Sequence, residues 1–148
     1  MTVTHIKDGP QSGWMAVYVA GNTTATPNSL GSVLNPEGVL LQITDGFLYT
    51  VNDADAAATL DIGIGTTATA DSTDMCSAYD INGASAGAVI YVIGKDAASE
   101  AAATAPKGID WGAAEYLNFY NPASYSSSPY EGYLFLRYIR VGDYGSLL

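Results

Sequence analysis

The chain has 148 residues, of which 48% are hydrophobic and 14% are charged, and fifteen acids against five bases give it a net charge of -10. This length is that of one ordinary domain with a core of its own. The acidic balance excludes a surface for nucleic-acid phosphates or anionic membranes, and no apolar run reaches the roughly 18 residues of a membrane-spanning helix.

The N-terminal residues predict an arm that precedes the main domain. Residues 9–13 are turn formers, and residues 3–6 before them can add to a sheet as a short edge strand. Arms of this kind often reach a neighbouring molecule. The N-terminus also lacks the basic and apolar regions of a signal peptide, and the single cysteine excludes an internal disulfide. We therefore expect folding in a reducing cytosol.

Residues 14–148 predict one domain of short strands. The predicted strands are rich in β-branched and aromatic residues and are bounded by Gly, Asn, Asp, Ser or Pro; they cover 14–20, 38–44, 47–51, 60–65, 75–81, 88–93, 115–120 and 131–142. The polar stretch 23–36 predicts a long connection. Asp45-Gly46 predicts a tight hairpin between two strands. Residues 53–58 and 97–105 are each long enough for a helical turn only.

Two of these strands carry further information. Residues 60–65 alternate strictly, with apolar residues on one face and Asp61 and Gly63 on the other, which predicts a half-buried strand whose second face is closely approached. The last strand is apolar on both faces, so it is predicted to be central, with the core under one face and another element or subunit over the other.

The whole pattern predicts an all-β fold, an antiparallel β-sandwich of jelly-roll or Greek-key type with an extended N-terminal arm (residues 1–13). No sustained helical periodicity and no internal repeat is visible.

No constellation of residues indicates catalysis or a cofactor. The one histidine, His5, lies in the predicted arm, and Cys76 is expected to be a packed thiol. The four glutamates are dispersed, so no carboxylate pair of the kind that hydrolyses glycosides is predicted. Asp53 with Asp55, and Asp71 with Asp74, supply loop oxygens but do not fit a calcium-loop spacing. We predict no enzyme, no cofactor and no metal site.

Aromatic residues cluster toward the C-terminal half, and two interpretations stay open for them. Aromatic faces stack on sugars, and tyrosine and tryptophan also favour protein contacts because one end is apolar and the other polar. Arg137 and Arg140 are predicted on opposite faces of the last strand, so that at most one serves a subunit surface while the other pairs with a carboxylate. The candidate interface residues are His5, Ile6, Lys7, Trp111, Tyr120, Tyr125, Tyr130, Arg137 and Arg140.

From residue 60 onward the order of elements resembles a known family. A strand at 60–65 is followed by the acidic loop 66–74, by strands at 89–93 and 115–119, and by a glycine-led last strand at 132–138 that ends in a tyrosine. This order is similar to that of the small jelly-roll virion proteins of tailed bacteriophages, in particular head decoration (cement) proteins. Phage tail and fibre modules share a similar pattern.

The resemblance implies a non-enzymatic structural protein, made in the host cytoplasm and located on the capsid surface of the virion. It would bind the major capsid protein of the assembled head as a homotrimer and stabilise the shell, without binding nucleic acid or membrane. The alternative is a carbohydrate- or receptor-binding β-sandwich module of a tail fibre or spike.

Overall fold

The computed structural model describes residues 3–7, 12–21, 28–54, 57–83, 85–93, 108–121 and 129–141. All regular structure in these residues is β-strand. The strands are β1 (Val3–Lys7), β2 (Ser12–Ala20), β3 (Asn28–Leu34), β4 (Leu41–Asn52), β5 (Thr59–Gly65), β6 (Cys76–Asp80), β7 (Val89–Ile93), β8 (Ile109–Trp111), β9 (Tyr116–Asn121) and β10 (Glu131–Arg140).

The strands form two antiparallel sheets that pack on each other. Sheet A has the order β1-β2-β10-β4-β7, with β8 also paired to the beginning of β4, and sheet B has the order β3-β9-β5-β6. The predicted all-β class and antiparallel β-sandwich are therefore confirmed. The finer jelly-roll pattern of connections stays a prediction.

The core lies between the sheets and is built by alternation along the strands. In β2, for example, Met15, Val17 and Val19 are buried while the residues between them are partly exposed, as the two-residue period of a strand requires. The largest fully buried side chains are those of Trp111, Tyr130, Tyr138, Phe119 and Met15.

β10 occupies the centre of sheet A, as its two apolar faces predicted. It pairs with β2 on one side and with β4 on the other along nearly its whole length. Leu134 and Leu136 are fully buried, whereas Tyr133, between β2 and β4 on the opposite face, is 39% exposed. One face of β10 thus belongs to the core, and the other belongs to the outer surface of the sandwich.

The hairpin predicted at Asp45-Gly46 is wrong. Both residues lie inside β4, which runs unbroken for 12 residues, and neither has the positive φ that a type I′ turn needs. The glycine is required by packing instead: a Cβ on Gly46 would lie 2.7 Å from Cδ2 of Leu136 and 3.2 Å from Cγ2 of Val92. The neighbouring strand β10 is long, and pairing along its whole length extends β4 through the apparent turn signal.

Two strands lie where sequence patterns indicated connections. β3 occupies part of the predicted polar connection 23–36 and pairs with β9 as an edge strand, with a register shift at Gly31. Its small polar residues suit an edge, where one side of the strand needs no partner. β8 is a three-residue strand that pairs with residues 41–43 of β4. The residues 53, 54, 57 and 58 of the first predicted helical turn are not helical, and 97–105 lies outside the described residues.

The predicted N-terminal arm is folded into the domain where it is described. β1 pairs antiparallel with β2, from Val3 opposite Val17 to Lys7 opposite Gly13. The edge-strand interpretation of this segment is therefore confirmed, and the division of the chain into an arm of residues 1–13 and a domain of residues 14–148 stays a prediction. Pairing to β2 satisfies backbone groups that a projecting arm would leave to solvent.

The close approach predicted on β5 is confirmed, and the approaching element is the loop 66–75. A Cβ on Gly63 would lie 2.6 Å from the carbonyl carbon of Ser72, and a Cβ on Gly65 would lie 2.7 Å from the Ser72 hydroxyl oxygen. The Asp74 carboxylate fastens the loop by accepting a hydrogen bond from the Ile64 backbone N–H at 3.2 Å. Only glycine leaves room for backbone to lie this close to a sheet.

Candidate protein-contact surface

The outer face of sheet A carries a continuous group of aromatic side chains. We call it the aromatic face and define it by Trp14 and Tyr18 of β2, Phe47 and Tyr49 of β4, Tyr91 of β7, and Tyr133 and Phe135 of β10. These residues occupy the positions that alternate with the core residues of the same strands.

Apart from Trp14, which lies opposite Arg137, strand register arranges the aromatic face in two rows across the sheet. In the first row Tyr133 lies between Tyr18 and Tyr49. In the second row Phe135 lies between Ala16 and Phe47, and Tyr91 follows Phe47. Four strands that are far apart in the sequence therefore contribute to one surface.

The rings pack against one another rather than standing apart. Phe47 and Phe135 stack with centroids 4.9 Å apart and an interplanar angle of 20°. Tyr18 and Tyr133 meet at 5.2 Å and 52°, and Phe47 and Tyr91 at 6.3 Å and 58°. These are the offset and tilted geometries that aromatic pairs prefer. The surface is consequently a packed layer of aromatic rings.

Charged groups border the aromatic face at the two ends of β10. At one end the Glu131 carboxylate accepts a hydrogen bond of 2.7 Å from the Asn52 amide. A hydrogen bond to the same carboxylate raises the pKa of Tyr18, because the bond favours the protonated phenol. At the other end the Arg137 guanidinium lies over the Trp14 ring, 5.9 Å from its centroid, a cation–π contact.

The two arginines of β10 lie on opposite faces of the strand, as the sequence predicted. Arg137 is exposed on the outer face of sheet A. Arg140 lies 3.7 Å from the Glu37 carboxylate, whose other oxygen accepts a 2.9 Å hydrogen bond from the Tyr138 hydroxyl. The Glu37 side chain is 5% exposed, so this group fixes the end of β10 to the loop before β4. The subunit contact expected of Arg137 stays a prediction.

The prediction of an interface position is wrong for two candidates, because the core buries them completely. Trp111 and Tyr130 have no exposed surface. The Trp111 indole N–H donates to the Glu115 carbonyl at 2.9 Å, and the Tyr130 hydroxyl lies 3.3 Å from Oγ1 of Thr50. Burial raises the pKa of Tyr130. Their polar ends are thus satisfied inside the domain and do not reach a partner.

The remaining candidates are placed only in part. Tyr120 is half-buried on the outer face of sheet B, away from the aromatic face. His5, Ile6 and Lys7 belong to the edge strand β1. Tyr125 lies outside the described residues.

Most of the aromatic face was missed by the sequence interpretation, although a signal for it exists. Trp14, Ala16 and Tyr18 alternate with the buried residues of β2, just as Tyr133 and Phe135 do in β10. Both strands are therefore apolar on two faces, but a second apolar face was predicted for β10 alone. Register between remote strands, which brings Phe47, Tyr49 and Tyr91 alongside, has no local signal.

Two of the loop carboxylates considered as calcium ligands lie against β5: Asp74 accepts the hydrogen bond from Ile64, and Asp71 lies near the buried Asp61. Asp61 is 5% exposed, and its Oδ1 accepts a 2.5 Å hydrogen bond from the Ala78 backbone N–H. Burial raises the pKa of the Asp61 carboxyl, and the nearby Asp71 carboxyl raises it further, while the bond from Ala78 opposes both. Within the described ranges, no three His, Cys, Asp or Glu side chains come together as metal ligands. Asp55 lies outside those ranges.

Cys76 is buried, as expected for a packed thiol, and its Sγ lies 3.8 Å from the Leu60 carbonyl oxygen. Among the residues that the structure describes, no helix is long and apolar enough to cross a membrane.

Comparisons with protein-family models, with curated proteins and with solved structures found no significant match to this chain.

Proposed function

We propose that this protein is a non-enzymatic structural protein that acts by binding other protein surfaces through the aromatic face of sheet A. In finer terms we propose a virion decoration protein, which binds the assembled head of a tailed bacteriophage and stabilises it. The aromatic face is the observation that carries the first statement. The second rests on the resemblance of residues 60–138 to decoration proteins.

An outer sheet face with this composition favours contact over solvent. Tyr49, Tyr91 and Tyr133 are 38%, 46% and 39% exposed, and Val89 beside them is 48% exposed. Large contiguous apolar surface on a folded domain marks an interaction site. Tyrosine and tryptophan are enriched in such sites because they bury large area at low cost in side-chain entropy while the hydroxyl or indole N–H still finds a partner.

The proposed mechanism for a decoration protein is thermodynamic linkage. A protein that binds the assembled shell, and not its free subunits, stabilises the shell by its binding free energy. Several weak contacts on a symmetric lattice add by avidity. A rigid, flat, preorganised surface suits this role because binding then orders few side chains.

The alternative proposal is a carbohydrate- or receptor-binding module, and exposed tyrosines on a flat sheet support it. Against a sugar platform, the phenylalanine rings at the centre of the face stack on each other at 4.9 Å, so one face of each ring is already occupied. Protein contact accommodates this arrangement better, because it uses ring edges and hydroxyls as well as ring faces.

Co-sedimentation tests the proposed function. The purified chain is mixed with heads assembled from tailed-phage major capsid protein, and we expect it to pellet with the heads and to raise their melting temperature. Tyr133→Ser should abolish co-sedimentation. The matched control is Tyr116→Ser, since Tyr116 is a partly buried tyrosine of sheet B, outside the aromatic face. Loss of binding in the control alone, or binding to glycans on an array instead of heads, would refute the proposal.

The oligomeric state is not established: the resemblance implies a homotrimer, whereas the arrangement of charges described below favours a two-fold dimer. Size-exclusion chromatography with light scattering measures it on the same samples.

A further inference from the structure

The outer face of β10 has an acid at one end, a cation at the other and aromatic rings between them. Glu131, Tyr133, Phe135 and Arg137 are successive outward positions of one strand. Six residues of extended strand place Glu131 and Arg137 roughly 20 Å apart. Within the described residues no carboxylate forms an ion pair with Arg137, which contacts the Trp14 ring and has Asp45 beside it in register on β4.

Two copies of this strand can place opposite charges together when they are related by one kind of symmetry. A two-fold axis that lies in the plane of contact, perpendicular to β10, reverses the strand direction and places Glu131 of one copy against Arg137 of the other, twice. A three-fold axis parallel to the strands keeps every residue at its own level, so it sets Glu131 against Glu131 and Arg137 against Arg137. Like charges that face each other across a contact oppose association.

The same two-fold axis also matches the shapes of the two rows. It passes between Tyr133 and Phe135, so the tyrosine row of one copy packs on the phenylalanine row of the other. Tyr18 then lies over Ala16, the smallest residue in the second row. A large side chain against a small one lets two sheet faces interdigitate, as they do at the roughly 10 Å spacing of a β-sandwich.

We infer that the aromatic face binds a second copy of this chain, in a two-fold, face-to-face dimer with antiparallel β10 strands. The inference rests on the first part of the proposed function, that the aromatic face binds protein. A second copy of the chain and an assembled head would occupy this face in turn, not together. Four strands about seven residues long present roughly 400–500 Å² of flat face. That is less than the roughly 800 Å² per partner of a standard interface. The dimer is therefore expected to be reversible, with a Kd in the micromolar range.

Charge reversal tests this geometry. Sedimentation velocity of the full chain should show a monomer–dimer equilibrium over about 1–300 µM. Arg137→Glu and Glu131→Arg should each raise the Kd by about 10-fold or more, because each then sets like charges together. The double variant should dimerise as the natural chain does. A mixture of the two single variants should form heterodimers, since both charge contacts are then opposite in sign.

Two controls separate the contact from folding. Asp71→Arg makes the same change in net charge as Glu131→Arg, on an exposed residue of the loop that packs on β5 of sheet B, and should leave the Kd unchanged. Thermal unfolding of each variant reports any loss of the Glu131–Asn52 hydrogen bond, and heterodimer formation shows that both single variants are folded.

A chain that is monomeric at all concentrations, a trimer, or single variants with an unchanged Kd would overturn the inference. Monomers that still bind heads through Tyr133 would leave the proposed function standing. Dimers that bind no heads would contradict the decoration function and support the self-contact.

Discussion

The packing of Gly46 against Leu136 gives the most direct test of this fold. Gly46→Ala places a methyl group 2.7 Å from Cδ2 of Leu136 and 3.2 Å from Cγ2 of Val92, closer than carbon atoms approach in a packed core. Overpacking of this kind costs about 1–3 kcal/mol. Leu136→Ala alone opens a cavity at a fully buried site and costs about 2–5 kcal/mol.

The two substitutions should partly compensate when they are combined. The new methyl group of Gly46→Ala occupies space that Leu136→Ala vacates, so the clash disappears and the cavity shrinks. We expect the double variant to be more stable than the sum of the single effects by about 1 kcal/mol or more, within the range of coupling between residues in contact. Residues that do not touch show coupling below about 0.5 kcal/mol.

Urea unfolding followed by tryptophan fluorescence measures the four free energies of this cycle. Leu134→Ala is the matched control, because Leu134 is also a fully buried leucine of β10 but does not border the Gly46 Cβ position. Its effect should add to that of Gly46→Ala. Additive costs for Gly46 and Leu136 would refute the continuous β4, since a glycine in a hairpin turn would lie away from Leu136.

Three further predictions concern the two outer faces. Phe135→Ala should lower the free energy of unfolding by about 1 kcal/mol, mainly through loss of the stack on Phe47. Leu134→Ala should lower it by about 2–5 kcal/mol. Equal losses in urea unfolding would show that another part of the monomer covers the outer face. The pKa of Asp61 is raised in the folded state, so the free energy of unfolding of the natural chain should fall as the pH rises above the unfolded pKa of about 3.9. Asp61→Asn does not titrate, so its stability relative to the natural chain should rise over the same pH range. A constant difference in unfolding free energy between pH 3 and 7 would contradict this. Gly63→Ala should displace the loop 66–75, because its methyl group meets Ser72 backbone; faster proteolysis within that loop is the readout, and an unchanged cleavage rate would argue against the close approach.

Part of the candidate surface was predictable from single strands. Tyr133, Phe135 and Arg137 share a face of β10 because side chains alternate along any strand. The apolar residues on that face predicted that another element or subunit contacts it. Trp14 and Tyr18 were accessible to the same argument. Phe47, Tyr49 and Tyr91 were not, because their neighbours across the sheet are set by register between strands that lie up to about ninety positions apart in the chain.

The amino-acid sequence by itself determined the properties that depend on neighbouring residues. These are the all-β class, the central and two-faced character of β10, and the close approach to β5 at Gly63 and Gly65. Tertiary structure decided what depends on distant pairing. It extended β4 through Asp45-Gly46 because β10 offers a long partner, and it buried Trp111 and Tyr130, whose polar groups find hydrogen-bond partners inside the domain. The preference of a residue for strand or turn is worth about 1 kcal/mol. The free energy gained from strand pairing along a whole strand and from the core beneath it is larger.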